Sequence, residues 1–490
     1  MAKKHRTVRF PFIFMVFALG LAGCFSPTKY SESLADLEVE AHYGDIAMTG
    51  DVRDRWWEAY GDGALNDFVE LALAESPTLQ VAYLRLLDSE LAMQQGESDY
   101  YPDLNFTAGV GYGGNVSENS KADPSYSLGL SLSYEVDLWG KVRAQKRVNE
   151  LSMLSLQDSA ETAAMTLVGN VVTQWFTIQY YGERRALIAR LLEVSENYYA
   201  LVQDYFRSGQ SDAMDVLEQR QQLETLRSNL NEIDSNIRIA RHALSILAGG
   251  KAMPEVSGPL PDAIDIGGTV DASKLIEMRP DLRSALRSAQ KADAQIVIAI
   301  ANRLPTLRLS ASLSFRASDI ADLFLKMLWD LAANFSASIF DGFQKSIAID
   351  RARVSYISER FNYINAVSKA VAEVEEAILK LRVREQALAD ARAQLERQKE
   401  ILEVSRTLFV NGSVAYNRVL SALRSMISAA QSELEARRAL LNAQVDLFKS
   451  MGGAGWLKDR NEAGLKRARE LLEKLGDEDE GKKENHENES

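Results

Sequence analysis

The stretch SLSYEVDLWGKVR, residues 131–143, decides the fold of this 490-residue chain. Its first part alternates apolar and polar residues, which is the period of a β-strand with one apolar face. Its last residues open a run, 142–206, that contains no proline and only two glycines. As a helix, that run would extend about 98 Å at 1.5 Å per residue. Because compact domains do not contain such helices, we expect β-strands joined to an antiparallel coiled coil.

The same succession returns 203 positions further along the chain. Four landmarks keep that spacing: Pro77 and Pro280, Pro102 and Pro305, Gly209 and Gly412, and Gly249 and Gly452. A constant spacing over four landmarks indicates an internal duplication, with copies at 65–250 and 268–453.

Each copy is predicted to hold a helix, two strands, a very long helix, a turn at a tip and a returning helix. The alternating segments predict strands near 104–116, 125–138, 306–316 and 333–341. The long helices are predicted at 142–206 and 344–409, and the returning helices at 212–248 and 415–450. Apolar residues recur at steps of three and four in the first returning helix, as in a coiled-coil seam: Leu223, Leu226, Leu230, Ile233 and Ile237.

The N-terminus reads as a secretory signal followed by a lipid anchor. Residues 1–23 carry a basic start and a short apolar run, which is typical of a signal peptide. The run ends in Leu21-Ala22-Gly23-Cys24, and Cys24 is the only cysteine of the chain. This ending resembles the bacterial lipoprotein cleavage box, which implies a lipid on the Cys24 thiol and delivery to the outer membrane. Acyl chains contribute about 0.8 kcal/mol of membrane affinity per buried CH₂ group.

Charge and composition exclude several classes of function. Removing residues 1–23 takes away four basic residues and no acids, so the formal net charge falls from −13 to −17. A chain this acidic is not expected to bind nucleic acid. The tail after Gly476 is predicted to be disordered and solvated.

No enzyme site, metal site or cofactor is expected beyond the lipid. The four histidines lie far apart in the sequence, at His5, His42, His242 and His486. Gly109, Gly111 and Gly114 fit the spacing of a dinucleotide-binding loop, but the loop NVSENSKADP follows them instead of a helix. A structural coiled-coil lipoprotein is a further alternative, which the four alternating segments disfavour.

Four strands in one chain cannot close a membrane barrel, since the smallest barrels have eight. Open sheet edges in lipid would leave backbone groups without partners, at a cost of several kcal/mol each. The chain is therefore expected to share a barrel with copies of itself. Two copies would supply eight strands and three would supply twelve, and only the larger barrel leaves room for a lumen.

The sequence resembles the outer-membrane efflux proteins of the TolC/OprM type, in particular their lipoprotein branch, the outer-membrane factors of RND pumps. The resemblance covers about residues 24–455. Seven segments carry it: WW at 56–57, SPTL at 76–79, YPDL at 101–104, YEVDLWGKVR at 134–143, RSG at 207–209, FDG at 340–342 and NGS at 411–413.

This resemblance implies a mainly α fold with a β-barrel portion. It implies a homotrimer whose twelve-stranded barrel in outer-membrane lipid continues as a helical coiled-coil tunnel into the periplasm. An equatorial collar would come from segments 24–64, 251–267 and 454–490. The implied partners are a periplasmic adaptor (a membrane fusion protein) and an inner-membrane pump, commonly of the RND type.

The resemblance also implies a gate at the two helix reversals, 209–217 and 412–420. The predicted gate residues are Gly209, Asp215, Gly412, Tyr416, Arg418 and Ser421. Helix reversal alone would also explain the two glycines, because a helix C-cap often needs positive φ.

Two of these gate residues depart from the family pattern. Relatives often carry acidic residues where this chain has Arg418 and Ser421. A ring of arginines would repel cations, so the resemblance does not extend to cation selectivity. An ion pair between Arg418 and Asp215, as a closed-state latch, is a second possibility.

The function predicted from these patterns is that of an outer-membrane exit duct for small toxic compounds or drugs. Metal-ion export and type I polypeptide secretion are the alternatives. The absence of a Met/His cluster in the sequence disfavours metal.

Overall fold

A computed structural model describes residues 55–113, 123–250, 255–264, 277–453 and 456–488. The first copy contains α1 (Gly63–Glu75), α2 (Pro77–Glu97), β1 (Asp103–Gly113), β2 (Asp123–Val136), α3 (Lys141–Arg207) and α4 (Ala213–Leu247). The second contains α5 (Pro280–Ala301), β3 (Thr306–Ala317), β4 (Met327–Ser336), α6 (Gln344–Val410) and α7 (Tyr416–Met451). The chain ends with α8 (Leu457–Asn488). The predicted fold class, mainly helical with four strands, is confirmed.

The long helices are as predicted, since α3 and α6 have 67 residues each. The returning helices α4 and α7 have 35 and 36 residues. None of the described helices combines the length and apolarity needed to cross a lipid bilayer.

The four strands form one antiparallel sheet in the order β1-β2-β3-β4. The central pair β2 and β3 places Leu130 opposite Leu313 and Leu132 opposite Ala311, so their apolar faces coincide. Gly109 and Gly111 lie inside β1, opposite Ser127 and Ser125, as the strand interpretation requires. Within the described residues, β1 and β4 each pair along one edge only.

The prediction for β4 was wrong by several residues. Alternation suggested 333–341, but β4 is Met327–Ser336, and Ile339 lies outside it, fully exposed. Pairing sets both ends, because Met327 faces Phe315 and Ser336 faces Thr306, the first residue of β3.

The strand β2 also ends earlier than predicted, at Val136 rather than Leu138. Asp137 leaves the strand because its carboxylate caps α3. One oxygen accepts from the Val142 N–H at 3.1 Å, and the other accepts from the Arg143 N–H at 3.3 Å.

The duplication is visible in atomic detail where the returning helices end. Gly249 has φ +74°, and a Cβ built there would lie 2.8 Å from the Glu75 carbonyl oxygen. Gly452 has φ +94°, and its Cβ would lie 2.8 Å from the Met278 carbonyl oxygen. Both contacts recur at the spacing of 203, and both positions require glycine for conformation and for space.

The prediction of a disordered tail after Gly476 is wrong for the described residues, because α8 continues as a helix to Asn488. No proline interrupts 457–488, and in the sequence acids precede lysines by four positions, a spacing that favours helix. Cys24 and the signal peptide lie outside the described residues, as do 251–254 and 265–267 of the predicted linker and 268–276 at the start of the second copy.

Candidate functional site

The first tip joins α3 to α4 through a glycine turn. Gly209 has φ +74° and donates its N–H to the Phe206 carbonyl at 3.1 Å, while Gln210 donates to the Tyr205 carbonyl at 2.8 Å. This pattern closes the C-terminal end of α3. Asp212 then caps α4, because its carboxylate accepts from the Asp215 N–H at 3.0 Å.

The second tip repeats the turn but lacks the cap. Gly412, with φ +70°, donates to the Phe409 carbonyl at 2.9 Å, and Ser413 donates to the Leu408 carbonyl at 2.9 Å. Ala415 stands where the first tip has Asp212, and no side chain caps α7. Of the two helix starts, that of α7 is therefore the less stabilised.

Three aromatic rings join the two hairpins next to the tips. The Tyr416 ring of α7 lies 4.8 Å from the Tyr198 ring of α3 and 5.3 Å from the Phe409 ring of α6, measured between centroids. Such pairs contribute about 0.5–1.5 kcal/mol each beyond their burial. Burial raises the pKa of the Tyr198 hydroxyl, and the Asp215 carboxylate raises it further.

One polar contact between the hairpins accompanies the rings. Arg424 of α7 donates from Nη2 to Gln219 Oε1 of α4 at 3.3 Å. Its Nε is buried without a hydrogen-bond partner in the described structure, and burial lowers the pKa of its guanidinium. We call Tyr198, Gln219, Phe409, Tyr416 and Arg424 the tip cluster.

The structure brings only part of the predicted gate into this cluster. Tyr416 is a member, and Asp215 lies close enough to act on the Tyr198 pKa. Gly209 and Gly412 form the two turns, while the side chains of Arg418 and Ser421 are exposed.

The Asp215–Arg418 latch is not formed. The Asp215 carboxylate accepts from the Ser211 hydroxyl at 2.7 Å, within its own hairpin. No ion pair of Arg418 occurs among the described residues. In this conformation, aromatic rings, one hydrogen bond from the Arg424 guanidinium to a neutral amide, and the apolar cluster that includes Val419 and Leu423 hold the hairpins together next to the tip.

The collar lies at the other end of the returning helices and is densely packed. Trp56 stacks on Phe448 at 4.9 Å, and Trp57 contacts Trp456 edge to face at 5.0 Å. Trp57 has no exposed surface. We call these four aromatic residues, with segment 255–264, the collar.

Polar contacts tie segment 255–264 to the helices. Gln444 of α7 donates to the Ile264 carbonyl at 2.6 Å and accepts from the Ile264 N–H at 3.3 Å. Glu183 of α3 accepts from the Leu260 N–H and from Arg437 of α7, both at 2.7 Å. Segment 255–264 therefore contacts both hairpins at the collar.

The two ends of the described chain meet at Glu70 of α1. Its carboxylate pairs with Arg55, just before the tryptophans, and with Arg460 of α8. Arg467 of α8 donates to the Ala74 carbonyl and pairs with Glu75 at 2.9 Å. The prediction that N-terminal, linker and C-terminal segments build one collar agrees with these contacts.

Comparison with known proteins gives the family. The family model described as outer membrane efflux protein matches residues 68–250 and 272–453, one match for each copy of the duplication. The chain belongs to the outer membrane efflux protein family. Efflux through the outer membrane is therefore its role and the outer membrane its location, as predicted. The family is one of channels. Among the described residues, no group of three or more potential metal-binding side chains occurs.

Individual relatives match over most of their length. One is "Probable outer membrane lipoprotein SilC" of Salmonella typhimurium, 24% identical over 89% of this chain and 97% of that protein. Another is "Pyoverdine export outer membrane protein OpmQ" of Pseudomonas aeruginosa, 28% identical over 84% of this chain and 89% of that protein. The solved CmeC outer membrane channel of Campylobacter jejuni has the same fold, with a TM-score of 0.75 at 21% identity over 91% of this chain and 95% of that one.

The tip cluster contains residues that sequence reasoning missed. Tyr198 and Gln219 gave no signal beyond helix membership, whereas Phe409 follows Leu395 and Leu402 at the seven-residue spacing of a coiled-coil seam. Arg424 offered another signal, because it follows the buried Leu420 by four positions and so stands where the seam calls for an apolar residue. A cation at such a position indicates a polar contact between helices.

Proposed function

We propose that this chain is one of three identical subunits of an exit duct that passes small toxic compounds or drugs out of the cell. The observation that carries the proposal is the open four-stranded sheet, whose edge strands β1 and β4 continue into no further strand of the described chain. Every residue of β1 and nearly every residue of β4 is exposed in the single chain.

Three copies would remove both edges. Pairing β4 of one copy with β1 of the next closes a twelve-stranded barrel and satisfies the edge backbone groups that lipid would leave unpaired. Exposed Leu104, Phe106 and Val110 of β1, and Trp329 and Leu331 of β4, supply apolar surface for lipid or for the neighbouring strand.

The tip cluster is proposed as the gate of the duct. It joins the hairpins through three rings and one hydrogen bond from the Arg424 guanidinium to an amide oxygen, and these contacts break if the hairpins separate. A periplasmic adaptor and an inner-membrane pump of the RND type are the proposed partners, and engagement of the adaptor would supply the energy for separation.

Arg418 is proposed to set the charge of the entrance. Its side chain is exposed within the second tip, and Ser421 adds no negative charge beside it. Three copies would form a ring of positive charge, which disfavours cations. This feature supports organic compounds over metal ions as cargo, although relatives such as CusC of Escherichia coli are named cation efflux proteins.

The anchor is proposed to be a lipid on Cys24. The chain would then be held in the outer membrane by acyl chains as well as by its strands. The first collar residue along the chain is Trp56, so about thirty residues would separate it from the lipid.

A deletion strain complemented in trans tests the cargo. Sensitisation to several unrelated antibiotics, dyes and detergents, restored by the gene, is the expected result. Sensitivity to Cu, Ag or Zn salts alone would assign the duct to metal export. A changed secretome with unchanged drug sensitivity would assign it to polypeptide secretion, the remaining alternative.

A further inference from the structure

The middle of α8 carries the exposed sequence Glu470-Leu471-Leu472-Glu473, which combines two apolar and two acidic side chains. The first half is packed, because Leu457, Asn461, Gly464 and Ala468 are buried, Asn461 donates to Glu161 of α3 at 2.8 Å, and Gly464 lies against the Tyr83 ring of α2. After Ala468 every residue through 474 is exposed, including Leu471 and Leu472.

The packed seam of α8 continues into this exposed part. Its buried positions follow steps of four, three and four, and the next steps of three and four reach Leu471 and Leu472. Glu470 and Glu473 flank the two leucines. The helix then continues to Asn488, about 30 Å beyond Ala468 at 1.5 Å per residue.

A surface of the opposite character lies at the collar end of α4. Ile239 and Ile246 are seven positions apart, on one side of the helix, and are 66% and 70% exposed. Arg238 and His242 are exposed beside them, and no acidic residue occurs between 235 and 250. Among the residues that the structure describes, the Arg238 guanidinium donates to the Ser235 hydroxyl alone, at 3.4 Å.

We propose that the second half of α8 docks on this α4 face of the neighbouring copy and so links adjacent subunits at the collar. Leucines meet isoleucines, and Glu470 and Glu473 meet Arg238 and His242. The proposal rests on the proposed homotrimer. It adds a named contact outside the barrel.

The contact lies between copies because both faces are exposed within one chain. The first half of α8 is already fixed by Arg460 to Glu70 and by Arg467 to Glu75. The backbone at Gly464 is also held in place, because it packs directly against the Tyr83 ring of α2. In a closed ring each α8 meets a different surface of the next copy, so every copy gives one contact and receives one.

Cysteine pairing between differently tagged copies tests the contact. One full-length copy carries Leu472→Cys, the other Ile246→Cys, and both are expressed in the same outer membrane. Oxidation is expected to give a disulfide-linked dimer that contains both tags. A second pair, Glu473→Cys with His242→Cys, repeats the test, and each single variant alone controls for pairing through Cys24.

Two outcomes overturn the proposal and are distinguishable. Trimers on native gels without any mixed-tag dimer, for both cysteine pairs and with a flexible bismaleimide, would refute the α8–α4 contact and leave the duct intact. Wild-type protein that forms no trimer would refute the proposed assembly itself. Native-gel mobility and thermal stability of each variant show whether it has folded.

Charge exchange supplies a second readout. Glu470→Lys with Glu473→Lys is expected to reduce the mixed-tag dimer at least about fivefold. Adding Arg238→Glu to the other copy is expected to restore it. If neither change alters the yield of the mixed-tag dimer, the charge pairing on which the proposal depends is contradicted.

Discussion

The collar and the tip are held together by opposite means, although the same four helices pass through both. At the collar, Trp57 is completely buried, and Glu183 joins α3, α7 and segment 255–264 through two short hydrogen bonds. At the tip, rings meet near the surface, and Arg424, the cation of the tip cluster, donates to a neutral amide oxygen.

This difference indicates which end moves. Opening the collar would expose a tryptophan core and leave buried charges without partners, which costs many kcal/mol. Opening the tip would break ring contacts worth about 0.5–1.5 kcal/mol each and one hydrogen bond from the Arg424 guanidinium worth about 1.5–3 kcal/mol. It would also separate apolar side chains such as Leu402 and Leu423, but no buried tryptophan. A periplasmic partner can supply the second amount, so the tip is suited to be the gate and the collar to be its fixed support.

The largest expected effect is that of Trp57→Ala. Removing a fully buried tryptophan that contacts Trp456 should lower the free energy of unfolding by about 3–5 kcal/mol. Thermal unfolding of the purified protein measures it. Leu217→Ala, at an exposed tip residue, is the control and should change the stability by less than about 0.5 kcal/mol. Equal effects would contradict the contrast between the two regions.

The two glycines of the second copy give the next comparison. Gly452→Ala must accommodate positive φ and a Cβ against the Met278 carbonyl, so we expect a loss of about 2–4 kcal/mol. Gly412→Ala has positive φ but open space around it, and about 1 kcal/mol is expected. Chemical denaturation measures the loss of unfolding free energy in both variants. A larger loss for Gly412→Ala than for Gly452→Ala would show that the tip is the more closely packed region.

Two arginines of α7 allow the same substitution at both ends. Arg437→Met removes the partner of Glu183 and should lower the stability by about 1–3 kcal/mol. Arg424→Met removes a half-buried cation that has no carboxylate partner among the described residues. It should leave the stability within about 1 kcal/mol of the wild type, or raise it. If Arg424→Met destabilises as much as Arg437→Met, the tip contact is stronger than its geometry indicates.

The smallest expected effect is a gain. Ala415→Asp would give α7 the cap that Asp212 gives α4, and should stabilise the second tip by about 0.5–1.5 kcal/mol. Amide hydrogen exchange in the first turn of α7 should slow accordingly. Ala213→Asp, one residue past the existing cap, is the control, and unchanged exchange in Ala415→Asp would contradict the assignment of a missing cap.

Much of the architecture follows from the sequence, because apolar periodicity and the positions of glycine and proline are local features of the chain. The absence of proline from the long runs predicts α3 and α6, and the glycine pairs Gly209/Gly412 and Gly249/Gly452 predict where the helices reverse and end. The alternation of β2 and β3 likewise predicts their faces, since one side of each strand is apolar.

The errors occur where partners at a distance decide the outcome. The end of β4 depends on its pairing with β3, which alternation within 333–341 cannot reveal. The helical tail depends on how the first half of α8 packs on α1, through contacts that a composition rich in acids does not predict. Tip residues were predicted from turns and family position, whereas the contacts join side chains of four helices. Arg424 and Phe409 could have been suspected from their places in the seam.

Conductance across planar lipid bilayers tests the central claim most directly, that the tip gates a duct which the collar holds fixed. The wild-type protein and the double variant Tyr416→Ala/Arg424→Ala would be inserted at equal trimer number. The account predicts small, brief openings for the wild type and a conductance at least about fivefold larger for the double variant, whose ring contacts and hydrogen bond are lost. Equal conductance in the two proteins, with both running as folded trimers on native gels, would contradict it.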